Sequence, residues 1–216
     1  MPEPTAPHNA PVIGLPHLFL LILPFLANDL FTILGASYPV WLAQDWGLRL
    51  LVLGWIYWLV KRGRVGPQDL GLAVPPAFVL VGTAVVLSGL GLVQLVGGEW
   101  LLGKVLPDQG LGSFPESTSA LLSGLDLTLG LVLVALSEEM LFRGLTWSWL
   151  RARGLPAWAA YPATAGAFAA IHWSLGPVSV ASAFIFGLLF QFGRQASNSI
   201  WPGVIAHYVV NVYAFS

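Results

Sequence analysis

The stretch LTLGLVLVALSEEMLFRG, Leu127 to Gly144, decides the fold. Eleven residues without a charge lead straight into Glu138, Glu139 and, four positions further, Arg143. The apolar part does not alternate polar with apolar residues, as a membrane β-strand of ~10 residues must. The run Leu50–Val60 (LLVLGWIYWLV) does not alternate either. In lipid every span must satisfy its own backbone groups, so such runs are helices. The fold class is therefore all-α, a polytopic membrane helix bundle.

Working outward from this stretch, apolar runs bounded by Gly, Pro and charge give seven spans, roughly 16–36, 40–60, 76–97, 121–150, 156–174, 177–194 and 199–215. Composition agrees, with 56% hydrophobic and 9% charged residues in a chain of 216, against roughly a quarter charged in soluble domains. A net charge of −1 offers no basic patch to neutralise phosphates, which excludes nucleic acid as a partner. The absence of cysteine removes disulfides, thiolate metal sites and a Cys nucleophile. Residues 1–14 are Pro-rich and lack Lys and Arg, so they read as a disordered tail rather than a signal peptide. Residues 15–216 then form a single transmembrane domain. The connection 98–125 is the one long loop, and its WLLGKVL portion has the composition of a surface segment. Trp46, Trp100, Trp147, Trp149 and Trp201 fall near span ends, as interfacial anchors do.

Lys61, Arg62 and Arg64 follow the second span, Arg151 and Arg153 the fourth, and Arg194 ends the sixth. With seven spans all six share one side, opposite Lys104, with Arg49 near that opposite interface. The positive-inside rule places the N-terminus in the cytoplasm and the C-terminus outside.

Charges at Glu138, Glu139 and Arg143 cost about 2.5–3.5 kcal/mol each if left in lipid, so the three must face the bundle interior. A buried ion pair tying helices together is the bland explanation. Glu139 and Arg143, at i and i+4 with the acid first, form the favoured pair. Glu138 lies ~100° around the helix and is left for chemistry. The two later spans each carry one His with a partner at helical spacing, Phe168…His172 and His207…Asn211. A rise of 1.5 Å per residue puts Glu138 at ~18 Å, His207 at ~12 Å and His172 at ~24 Å from the cytoplasmic ends of their spans. No H-E-x-x-H, G-x-G-D or G-x-S-x-G motif occurs.

Taken in order, E-E-x-x-x-R (Glu138, Glu139, Arg143), F-x-x-x-H (Phe168, His172) and H-x-x-x-N (His207, Asn211) resemble the CAAX prenyl protease and bacteriocin-processing (CPBP, Abi-type) family. Phe184-Ile-Phe-Gly187 and the Ser199-Ile-Trp-Pro-Gly run look like that family too, so the resemblance covers about 126–212. It implies an intramembrane endopeptidase whose site opens to the cytoplasm, in the short prokaryotic branch and hence a prokaryotic plasma membrane. Glu138 with His172 would activate water, and His207 with Asn211 would hold the oxyanion. Glu139, Arg143 and Phe168 would support them. The substrate would be a peptide or a membrane-protein segment. A metal-free site is expected, the alternative being Zn²⁺ on Glu138, His172 and His207. Two other functions compete: a non-catalytic binding or bacteriocin-immunity protein, and a proton-coupled transporter using the Glu/His cluster as a relay.

Overall fold

A computed structural model describes residues 13–107 and 109–216, so the expected tail lies outside the described residues except for Ile13 and Gly14. Seven helical rods follow one another: α1 (Leu15–Ile33), α2 (Tyr38–Lys61), α3 (Ala77–Leu102), α4 (Ala120–Ala152), α5 (Ala157–Ala170), α6 (Pro177–Ser197) and α7 (Trp201–Phe215). Among the described residues there is no strand. The chain is an all-helical membrane protein.

By length and composition α1, α3, α4 and α6 are able to cross a membrane. In α2 the apolar run is interrupted by Asp45 and Arg49, both buried. At 14 and 15 residues, α5 and α7 are short. Each is ~21–22 Å long at 1.5 Å per residue, less than the ~30 Å of hydrocarbon.

Small residues let the neighbouring helices approach. The Ala-rich α5 packs closely on α6, and a Cβ on Gly187 would lie 2.8 Å from Ala165 Cα. A second close pair is α3 with α7. Side chains of Leu21, Val52, Ile56, Leu59, Leu141 and Leu145 fill the centre.

The bundle has two chemically distinct ends. At one, the Ile13 carbonyl accepts hydrogen bonds from Trp149 Nε1 (3.1 Å) and Arg153 Nη2 (2.8 Å), joining the start of α1 to the end of α4. The α2–α3 connection is pinned to the same end: Ser148 Oγ donates to the Asp69 carbonyl, Ile200 N to Gly71 and Trp201 Nε1 to Leu72. Lys61, Arg62, Arg64, Arg151 and Arg153 all lie here over tyrosine or tryptophan rings. At the other end Leu111 N and Gly112 N donate to the Ser174 carbonyl, and Phe114 sits edge-on to both Trp41 and Phe215.

Several boundaries differ from the sequence reading. The third helix runs on to Leu102 and the fourth begins at Ala120, so the WLLGKVL stretch is largely helix end and the long connection is 103–119. The tryptophans chosen as anchors mostly serve the protein itself: Trp147 and Trp149 are buried, Trp46 donates to Asp126, and Trp201 to Leu72. Trp100 alone of the five is well exposed, beneath Lys104.

The fifth span ends early as well. Helix α5 stops at Ala170, and His172 belongs to the turn that follows it. Gly176, at φ +95°, reverses the chain there, and Pro177 opens α6. Non-helical backbone at membrane depth is tolerated only where it is buried or lines a cavity. Here Asp29 Oδ2 accepts from Ser174 N, and the Ser174 carbonyl is used by the 103–119 connection.

Candidate active site

Two wide turns with i→i+5 hydrogen bonding interrupt α4, at Asp126–Gly130 and at Glu139–Thr146. Such π-helical turns recur at functional sites because they re-aim side chains. The second begins at the carboxylate pair. Arg143 meets Glu139 Oε1 at 3.3 Å, as the spacing predicts, and both side chains are at most 1% exposed. Its guanidinium lies 4.0 Å from the centre of the Phe168 ring and 5.4 Å from that of Phe190.

Glu139 has a second partner that its spacing with Arg143 does not reveal. Its Oε1 is 3.1 Å from His207 Nδ1. A carboxylate accepts, so Nδ1 carries the proton and Nε2 points the other way, 3.7 Å from Glu138 Oε2. Phe190 stacks on the His207 ring at 5.3 Å and Phe168 meets it edge-on at 5.9 Å. The imidazole is thus held by two aromatic rings and at one nitrogen.

Glu138 is not free of cations. Arg49 Nη1 donates to its Oε1 at 2.7 Å, and Arg49 Nε holds Asp45 one turn back at 2.9–3.0 Å. The sequence reading left Arg49 at an interface, whereas it is buried at mid-bundle. The missed signal was Asp45…Arg49 itself, an i, i+4 acid–base pair inside an apolar span, the same pattern read correctly in α4. Glu138 Oε2 has no hydrogen-bond partner among the described residues.

His172 folds back over the end of α5, with Nδ1 3.0 Å from the Phe168 carbonyl and its ring edge-on to Phe168 at 4.9 Å. A carbonyl accepts, so in the neutral ring the proton is on Nδ1 and Nε2 is an acceptor. The depth expected for His172 assumed a helix running through it, whereas α5 stops at Ala170 and the turn that follows carries His172 to the cavity that Glu138 and His207 also line.

Glu138, His172, His207 and Asn211 all line one cavity of about 350 Å³, together with Arg49 and Phe168. Glu139 and Arg143 lie behind its floor, buried. The wall comes from the ends of helices remote from the basic residues: Asn28 and Asp29 of α1, Trp41 and Asp45 of α2, Glu99 of α3, Asp126 of α4, Ser179 and Ser182 of α6, Ala214 and Phe215 of α7. Two expectations from the sequence are therefore incompatible. A basic cytoplasmic face and a site opening to the cytoplasm cannot both hold, because the mouth and the basic residues occupy opposite ends.

Among the described residues no three His, Asp or Glu side chains are grouped to hold a metal ion, and Glu138 Oε1 is engaged by Arg49.

With Glu138, two histidines and an asparagine lining one cavity, from α4, the turn after α5 and α7, and Glu139 buried behind them, the ordered motifs become a single constellation. Residues 120–213 match the type II CAAX prenyl endopeptidase Rce1-like family. The match runs from the first residue of α4 into α7 and agrees with the resemblance carried by the three motifs. That family is one of prenyl endopeptidases, and this part of the chain is similar to it. The Rce1-like segment ends short of α1–α3, yet Arg49 of α2 reaches in to clamp its first glutamate. No curated protein and no solved structure matches the chain.

Proposed function

We propose that the chain hydrolyses peptide bonds of membrane-associated or peptide substrates, in a prokaryotic plasma membrane with its N-terminus cytoplasmic, using a water activated by Glu138 and His172. The observation that carries this reading is the divided role of the Glu138 carboxylate. Arg49 fixes Oε1, while Oε2, buried and without a hydrogen-bond partner among the described residues, faces His207 on the cavity floor. One oxygen sets the geometry and the other is left to take a proton.

In this mechanism water lies between Glu138 Oε2 and His172 Nε2. Its oxygen attacks the carbonyl carbon as its proton passes to Glu138. The carbonyl oxygen becomes an oxyanion, held by the Asn211 side-chain amide and by His207 Nε2–H when that ring is doubly protonated. Collapse breaks the C–N bond, and the proton on Glu138 moves to the departing nitrogen, giving a carboxylic acid and an amine. Glu139 and Arg143 act through His207 and through the fold. The low-dielectric floor strengthens each of these interactions by excluding water.

Asn211→Ala tests the oxyanion role. Loss of one preorganised donor lowers kcat by about 10²-fold, and KM stays unchanged because the contact belongs to the transition state. A raised KM at normal kcat would assign Asn211 to ground-state binding. Metal dependence has its own test. Activity in a preparation shown to contain no zinc is the expected result. Loss of activity to a strong chelator, restored by Zn²⁺ alone with stoichiometric metal bound, would make Glu138, His172 and His207 ligands instead.

A further inference from the structure

The residues lining the cavity lie, helix by helix, in the halves remote from the Lys/Arg-rich end. From α1 they begin at Phe25, from α2 they stop at Arg49, from α3 they are Leu95 and Glu99, and from α7 they run from His207 to Phe215. Phe25, Arg49, Glu138, Phe190 and His207 lie near the middle of their helices, and these form the floor. Beneath that floor the bundle is shut. Leu70, Phe142, Leu145 and Ile200 are each at most 1% exposed, and the α2–α3 connection is hydrogen-bonded across them. Among the described residues the site therefore opens at the other end, framed by residues 34–37, 109–119 and 171–176.

Charge fixes which way that mouth faces. Of the nine Lys and Arg, Arg49 and Arg143 are interior and paired with Glu138 and Glu139. Of the other seven, Lys61, Arg62, Arg64, Arg151, Arg153 and Arg194 belong to the closed end, and Lys104 alone to the open end. All seven lie in short connections or within a turn or so of a helix end, where the positive-inside bias acts. A six-to-one excess orients the closed end to the cytoplasm.

We infer that the site is served from the non-cytoplasmic side of the membrane, and that its substrates are exported polypeptides or the outward-facing ends of membrane proteins. This rests on the peptidase reading for the reaction, though not for the side. A polypeptide tail in the cytoplasm, prenylated or not, meets the closed end and has no route to Glu138.

Because the chain has no cysteine, single ones report the side directly. Ala214→Cys lies at the mouth, Leu111→Cys on the connection beside it, and Gln68→Cys on the exposed part of the closed end. None of the three alters a charge or touches Glu138, His172, His207 or Asn211. In intact spheroplasts of a bacterial host, a charged, membrane-impermeant maleimide should label Ala214→Cys and Leu111→Cys. It should reach Gln68→Cys only after lysis. The reverse pattern overturns the inference whatever the enzyme does. For the substrate class, one reporter peptide is tethered through a single membrane span to either face of the membrane. Cleavage of the outward copy with the inward copy intact is expected, and cleavage confined to the inward copy overturns it. Purified enzyme in detergent, assayed on a mixed peptide library, separates the two claims. No cleavage there removes the peptidase reading, and the substrate assignment with it, while the labelling pattern still decides the side.

Discussion

Glu138→Gln leaves a folded protein whose proteolysis is reduced about 10²–10⁴-fold, the usual cost of losing a general base. The substitution keeps the size of the side chain, and its carbonyl oxygen still accepts from Arg49 Nη1, which sits 2.7 Å from Glu138 Oε1. Arg49 also retains Asp45, so no buried cation is abandoned. What disappears is the second oxygen as a proton acceptor. Single-turnover rates beside thermal unfolding of both proteins measure the effect. A variant within tenfold of the parent rate, with an unchanged unfolding temperature, would show that Glu138 is not the base.

Glu139→Gln acts differently, and its first effect is on stability. Arg143 is 1% exposed with Glu139 as its ion-pair partner, and its remaining surroundings are the Phe168 and Phe190 rings. Removing one member of a buried pair costs about 3–5 kcal/mol, because the other stays charged and unpaired in a dry site. Replacing both members with apolar residues of similar volume is often neutral, so Glu139→Gln with Arg143→Met should recover most of the lost unfolding temperature. Activity should not recover with it. The carboxylate charge facing His207 Nδ1–H at 3.1 Å is gone in both variants, and the neutral amide oxygen left there holds the imidazole more weakly. If the double variant regains full kcat along with stability, Glu139 is a structural residue only and the His207 arrangement plays no part in the reaction.

The sequence made the helix bundle legible because lipid leaves few choices. Uninterrupted apolar runs such as Leu127–Leu136 admit one backbone solution, and seven of them were bounded to within a few residues. The pair Glu139–Arg143 was legible for a local reason, since i, i+4 spacing survives the wide turn that begins there. Contacts between helices distant in sequence were not. Arg49 reaches Glu138 across 89 positions and Glu139 meets His207 across 68, and neither distance leaves a trace in spacing. His172 was found for its chemistry yet placed on the wrong element, because an Ala-rich run gives no sign of ending until Gly176-Pro177. The side on which the site opens was not legible for another reason. Family resemblance and charge bias pointed opposite ways, and only the path of the cavity through the bundle exposes the conflict.

The unequal lengths of the rods bear on the solvent as much as on the site. A bundle whose α4 spans 33 residues beside α5 and α7 of 14 and 15 cannot match a bilayer of one thickness. Hydrophobic mismatch of this kind costs a fraction of a kcal/mol per Å, and is relieved by tilt of the long helix and thinning of lipid beside the short ones. Helix α7 carries His207 and α5 leads into the turn that holds His172, so thinning occurs next to the cavity floor and brings headgroups and water closer to it. Acyl-chain length thereby becomes a variable of the proposed activity. Short-chain lipid suits the face formed by α5 and α7, and thick, ordered membranes place the same floor deeper in hydrocarbon.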